Sequence, residues 1–224
     1  SARFTPIQRG RKGRASHARL QMMQTVVFDL DGTLADTSAD LLAAANACFR
    51  AMGHGDQLGP SDTLTAFHGG RAMLRLGFER VGLLWSEEDV SREYPRLLSA
   101  YADSIDTHTR LYPGAVEAVE ALRQMGFRTA ICTNKPEGPT RAVLAHFCLA
   151  RFFPVIIGGD TLPTRKPDPA PYLAAVTRAG GAVAQSMLIG DTETDRKTAA
   201  AAGVRVALVS FGPEGEAISR LAPE

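Results

Sequence analysis

Asp29, Asp31 and Thr33 follow one another closely after the apolar run Thr25-Val26-Val27-Phe28. Further along come Thr133 and Asn134, then Lys166, then Asp191 with Asp195 four residues on. Singly, each is ordinary. Asp-Gly after a strand is a common turn signal. An isolated Asp-x-Asp is often a solvated pair, Thr133-Asn134 reads as a cap or turn, Lys166 as a surface lysine, and Gly190-Asp191 as a loop. Together they have a definite chemistry. Aspartates converging on one spot repel one another unless a cation sits among them, and oxygen donors without His or Cys suit Mg2+. That ion keeps several waters and commonly bridges to phosphate oxygens. A lysine and a small hydroxyl beside it would hold the remaining phosphate oxygens, and a carboxylate placed there can attack phosphorus. Phosphoryl transfer of this kind depends on in-line positioning and charge neutralisation.

The elements that must position these residues are legible from their patterning. Thr25–Phe28 is a short β-branched run ending in acids and Gly32, which predicts a buried strand feeding a loop. A helix is expected from about Ser38 to Met52, with Asp40 near its start and Gly53 and Gly55 stopping it. From Gly59 to Arg110 no strand is expected; helices are read near Ser61–Ala66, Gly70–Val81 and Glu87–Ser104, with Asp62 and Ser86 as N-caps. After Pro113 helices alternate with strands at Arg128–Cys132, Val155–Ile157, Met187–Ile189 and Val204–Val209. Such alternation predicts a doubly wound, parallel, Rossmann-like α/β sheet, whose ligands bind at the carboxyl ends of the strands. The polar sets fall at successive strand ends, in order. An α/β protein has no structural need for that.

These residues carry a family resemblance. Asp29-Leu30-Asp31-Gly32-Thr33-Leu34 resembles the first motif of the haloacid dehalogenase-like hydrolases, Thr133-Asn134 the second, Lys166-Pro167 the third, and Gly190-Asp191-Thr192-Glu193-Thr194-Asp195 the fourth. The resemblance spans roughly Thr25 to Ser210. It implies a catalytic core of residues 24–36 and 111–224, with residues 37–110 forming a helical cap of the C1 type. It also implies that Asp29 is the nucleophile and a Mg2+ ligand, and that Asp31 protonates the leaving alcohol and then activates water, its carbonyl touching the metal. Thr133 and Lys166 would hold phosphoryl oxygens, Asn134 would support their loop, and Asp191 would ligate Mg2+. Asp195 would complete the acidic cluster through water or by orienting Lys166. Asp31 must carry a proton for its first task, which anionic neighbours would favour.

Within the family, the second aspartate points to phosphoryl chemistry, since the true dehalogenases lack it. Thr133-Asn134-Lys135-Pro136, Arg165-Lys166-Pro167-Asp168-Pro169 and Asp36-Thr37-Ser38-Ala39-Asp40 look like the phosphoglycolate phosphatase branch. A phosphosugar mutase of the β-phosphoglucomutase kind or a pyrophosphatase would share every core residue, and a phospho-accepting receiver module would share the acids, threonine and lysine but not the long insertion. Substrate choice falls to the cap. A small anionic ester needs a cation for its carboxylate, and Arg71 or His68, beside Gly69-Gly70, are the candidates. Arg110, Tyr112 and Lys135 are read as lining the entrance, with hinges near Asp36–Ser38 and at Pro113-Gly114.

Composition bounds the rest. The chain has 224 residues, 45% of them hydrophobic, enough for one large domain with an insertion. A formal charge of +1 gives no reason to expect nucleic acid or a membrane surface as partner. Six Arg and Lys residues cluster in residues 1–23 without an acid, so the rest carries about −5. That basic extension lacks the apolar core of a secretory signal and is read as a flexible arm, a transit-like segment or sequence ahead of a start at Met22 or Met23. Cys48, Cys132 and Cys148 are an odd set without metal spacing, read as buried thiols of a cytoplasmic protein. The expected partner is a small phosphorylated metabolite, with monomer and homodimer both open.

Overall fold

The computed structural model describes residues 24–82, 84–105 and 107–222. The reading of residues 1–23 lies outside them. Five parallel strands form one sheet: β1 (Thr25–Phe28), β4 (Arg128–Cys132), β5 (Val155–Ile157), β6 (Ser186–Gly190) and β7 (Arg205–Leu208), in the order β5-β4-β1-β6-β7. β1 lies at the centre, with Val27 opposite Ala130 on one side and Leu188 on the other.

The strands are short, and the central β1 is buried throughout while the edge strand β7 is only partly so, as an enclosed parallel sheet requires of its middle. The alternation of side chains divides β1 between two cores. Val27 joins Ala130, Cys132, Ile157 and Leu188 beneath Tyr172 and Val176 of α7 (Ala170–Arg178) and Ala199 of α8 (Glu193–Ala202). Val26 and Phe28 face the other way, toward Val119 of α5 (Ala115–Gln124) and Val143 and Leu144 of α6 (Glu137–His146). A doubly wound α/β layer results.

Between β1 and β4 the chain makes a helical insertion: α1 (Ser38–Ala51), α2 (Thr63–Phe67), α3 (Gly70–Val81) and α4 (Glu87–Ala102). Its interior is built on Phe49, Met73, Leu74, Phe78, Val90 and Leu97 and is continuous with the α5/α6 side of the sheet core. Phe49 meets Phe78 edge to face at 5.4 Å, an arrangement aromatic pairs favour.

Several expectations need correction. The insertion is entered and left through two short antiparallel strands, β2 (Ala35–Asp36) and β3 (Arg110–Leu111), where no strand was expected at Arg110. Asp40 lies in the first turn of α1, as expected, but its carboxylate is used elsewhere. Its carboxylate accepts from the backbone N–H of His108 and Thr109 and from the Thr109 hydroxyl at 2.7 Å, tying the start of the insertion to its end. Asp62 precedes α2, yet its carboxylate reaches back to the Gly59 N–H and across to Arg80. Ser86 does head α4, sharing Asp89 as a capping partner. Cys48 and Cys132 are buried, but Cys148 is exposed, just beyond α6 with φ +56°. Among the described residues no helix is long and apolar enough to cross a membrane.

Candidate active site

The carboxyl edge of the sheet gathers the polar residues. After β1 the chain turns sharply through Gly32, whose φ is +81° and where a Cβ would fall 2.1 Å from Asp191 Oδ2. A side chain there would be both strained and displaced, so glycine is what lets the Asp29-x-Asp31 loop meet the Asp191 loop. Asp29 Oδ1 accepts the Leu30 N–H at 2.7 Å, while its Oδ2 lies 2.7 Å from Lys166 Nζ. Asp191, at the end of β6, accepts the Thr33 hydroxyl on Oδ1 at 2.8 Å. Its Oδ2 is buried and has no hydrogen-bond partner among the described residues.

Asp195 is shared between a helix and the site. Oδ2 accepts from the Thr192 hydroxyl and from the N–H groups of Asp191 and Thr192, closing the start of α8. Oδ1 accepts from Lys166 at 2.7 Å. A Cβ on Gly190 would sit 2.3 Å from Asp195 Cγ, so the close seating of this carboxylate needs the glycine. Lys166 is thus buried between Asp29 and Asp195. Asn134 Nδ2 donates to the Lys166 carbonyl at 2.9 Å, joining the loops after β4 and β5. Thr133 is buried at the end of β4.

Electrostatics follow from this crowding. Burial pushes Asp191 well above the ordinary carboxylate range, and Asp29 and Asp195 push the same way. Burial also raises Asp29, against the opposing pull of Lys166. Burial alone would lower Lys166, but Asp195 and Asp29 outweigh it and hold it charged. Oxygens of Asp29, Asp191 and Asp195 lie within 4.8 Å of one another. Three buried carboxylates, one with an unsatisfied oxygen, suit a hard divalent cation, because it supplies the charge that Lys166 alone does not. Asp195 Oδ2 already accepts three hydrogen bonds and its Oδ1 the Lys166 ammonium. Asp29 Oδ1 accepts the Leu30 N–H, and Asp191 Oδ2 accepts nothing among the described residues, so Asp191 and then Asp29 have the greater capacity to ligate.

Asp31 was expected among anions and lies instead among donors. Lys135 Nζ is 3.1 Å from both of its oxygens, and the Thr37 hydroxyl donates to Oδ1 at 2.7 Å. Lys135 is correspondingly an interior residue of the site, although it was read as an entrance residue. Its ammonium also donates to the Tyr101 hydroxyl at 2.8 Å. Arg110 does not line the cavity; it bonds to the Thr109 carbonyl. Tyr112 lies outside it too, packed against Phe211 at 4.9 Å.

A cavity of about 370 Å³ opens over these groups. Its floor includes Asp29, Asp31, Thr133 and Lys166, and its far wall is the insertion, with His68, Gly70 and Arg71. Arg71 is half-buried, stacks over Tyr94 at 4.6 Å and donates to Ser91 Oγ at 3.1 Å.

A family model described as haloacid dehalogenase-like hydrolase matches residues 26–209. The chain belongs to this family. The phosphoglycolate phosphatase of Rhodospirillum rubrum is 36% identical over 208 residues, covering 89% of this chain and 85% of its own. That of Cereibacter sphaeroides is 39% identical over 195 residues, covering 85% and 86%. Among solved structures, a predicted phosphoglycolate phosphatase from Haemophilus somnus superposes with a TM-score of 0.76 at 25% identity, covering 90% of this chain and 92% of its own. The motif residues of this family member come together as their order implied. Sequence reasoning missed Thr37 and Tyr101. Tyr101 sits at helical spacing in an apolar stripe and reads as core, and nothing nearby signals that its hydroxyl reaches a lysine from another element.

Proposed function

We propose that this protein is a Mg2+-dependent phosphomonoesterase that hydrolyses a small phosphate ester, phosphoglycolate, through an aspartyl-phosphate on Asp29. The observation that carries the reading is the pairing of Asp29 and Lys166 beside Asp191, whose Oδ2 is buried without a partner. Asp29, Asp191 and the backbone carbonyl of Asp31 would hold the ion. When bound, Mg2+ supplies the positive charge that lets the buried acids and an incoming phosphoryl group coexist.

The protein's own residues perform the transfer. An oxygen of Asp29 attacks phosphorus while Lys166 and Thr133 hold the phosphoryl oxygens in line. Asp31 gives its proton to the bridging oxygen as the P–O bond to the alcohol breaks. The alcohol leaves neutral. Asp31, now a carboxylate, takes a proton from water, which attacks phosphorus, releases phosphate and regenerates Asp29.

The helical insertion is proposed to act as the cap, moving about the β2/β3 entry and Pro113-Gly114 to exclude water. Relatives named phosphoglycolate phosphatase support the choice of substrate, and Arg71 is the group proposed to meet its carboxylate. The test is phosphate release from a panel of small esters, with Mg2+ and after chelation. Phosphoglycolate should be cleaved best, chelation should abolish turnover, and Asp29→Asn should reduce kcat by about 10³-fold or more. Asp31→Asn should block turnover more than Mg2+ binding. Phosphate release from no ester, or release at the wild-type rate by Asp29→Asn, would reject the reading.

A further inference from the structure

Two lysines are buried at the carboxyl edge, and the reaction above uses one of them. Lys166 serves Asp29 and Asp195. Lys135 serves Asp31: its Nζ lies 3.1 Å from both carboxylate oxygens, and its side chain is 4% exposed. Burying an ammonium is costly unless its partners are well placed. A methionine would fill the same space without that penalty, so the charge is retained for what it touches. Besides Asp31, it touches the Tyr101 hydroxyl, at 2.8 Å.

Tyr101 belongs to α4, in the helical insertion, and is itself buried. Asp31 and Lys135 belong to loops of the sheet edge. The loop bearing Lys135 is pinned by its own backbone, since its carbonyl accepts the Gly159 N–H at 2.8 Å. Thr37, where the insertion begins, donates to Asp31 Oδ1. Both ends of the insertion therefore converge on one carboxylate, directly through Thr37 and through Lys135 from Tyr101. Oδ1 receives both Thr37 and Lys135, whereas Oδ2 receives Lys135 alone, which makes Oδ2 the less occupied oxygen and the one assigned the transferred proton.

We infer that Lys135 and Tyr101 are positioning residues that aim Asp31 at the leaving-group oxygen, with Tyr101 making that aim depend on the docked insertion. This rests on the phosphatase reading above. In the step concerned, the Asp31 Oδ2–H bond breaks, the proton passes to the bridging oxygen as its bond to phosphorus breaks, and the new bond from Asp29 to phosphorus forms. Lys135 remains an ammonium throughout.

Leaving-group chemistry separates this role from a structural one. An alkyl ester such as phosphoglycolate needs its departing oxygen protonated, whereas p-nitrophenolate departs with little help. The parameter to read is kcat/KM, which covers steps only through departure of the alcohol. Lys135→Met should lower it about 30-fold on phosphoglycolate and about threefold on p-nitrophenyl phosphate, within the range of general-acid contributions. Tyr101→Phe should show the same selectivity to a smaller degree and add nothing in a Lys135→Met background. Lys135→Arg should restore part of the loss. Equal losses on the two esters, no loss, or additive effects in the double variant would overturn the inference. If Lys135→Met does not fold, as judged by its melting transition, Tyr101→Phe decides by the same comparison. Failure of the wild type to cleave either ester rejects the phosphatase reading and this inference with it. An active wild type with unselective variants rejects the positioning role alone.

Discussion

One oxygen of Asp195 closes helix α8 and the other grips Lys166. An asparagine could keep the first contact while losing the second, because its amide NH2 would face the ammonium. Lys166 would then lean wholly on Asp29, tying up the proposed nucleophile. Asp195→Asn is expected to lower kcat about 30-fold, near 2 kcal/mol in the barrier, with KM changed less than about threefold. Phosphate release kinetics beside a thermal melt would check it; a melt that falls without a kcat loss would confine Asp195 to stability. Asp195, Asp29, Lys166 and Asp191 were legible because strand-end placement is written in local sequence. The partners of Asp31 were not. Proximity to Asp29 suggested anions, while Lys135 arrives from more than a hundred residues away and Tyr101 from a different layer.

At the scale of elements, periodicity revealed the long strands and helices, and two-residue strands escaped it. β2 and β3 pair Asp36 with Arg110 across the base of the insertion, a contact between distant segments too short to show alternation. Asp62 stands at the N-cap position of α2, as read, but its side chain is taken by other partners. Asp62 accepts from both terminal nitrogens of Arg80 on α3, at 2.6 and 2.7 Å, and from the Gly59 N–H. Hydrogen bonds from Arg80 hold its carboxyl below the usual carboxylate range. A depressed folded value means that the stabilisation is fully present above the ordinary value, near 4, and fades as pH falls through the folded one. Asp62→Asn should therefore cost about 1–2 kcal/mol at neutral pH. The gap between its melting temperature and that of the wild type should close as the pH is taken below about 4. A gap constant down to that range would mean that charge is not what Asp62 contributes.

For the whole molecule, the cavity is walled by two layers with separate duties. The sheet edge offers groups suited to a phosphoryl group, which every substrate of this chemistry shares, so discrimination has to come from the insertion. Two arginines of α3 line that wall. Arg75 is engaged by Glu87 on both oxygens, at 2.6 and 2.8 Å, which spends its fork. Arg71 is held by the Ser91 hydroxyl and the Tyr94 ring, and the nearby Glu87 feels its charge but accepts its hydrogen bonds from Arg75, so the Arg71 fork is not spent on a carboxylate. A guanidinium ordered in this way loses little entropy on meeting a carboxylate. Arg71→Ala should raise KM for phosphoglycolate about tenfold, near 1.4 kcal/mol, and leave kcat within about threefold. Ethyl phosphate, which lacks the carboxylate, should show the same KM with either protein. Parallel rises on the two esters would assign Arg71 to packing on Tyr94, and an unchanged KM on both would remove it from the substrate's path and turn attention to His68 on the same wall.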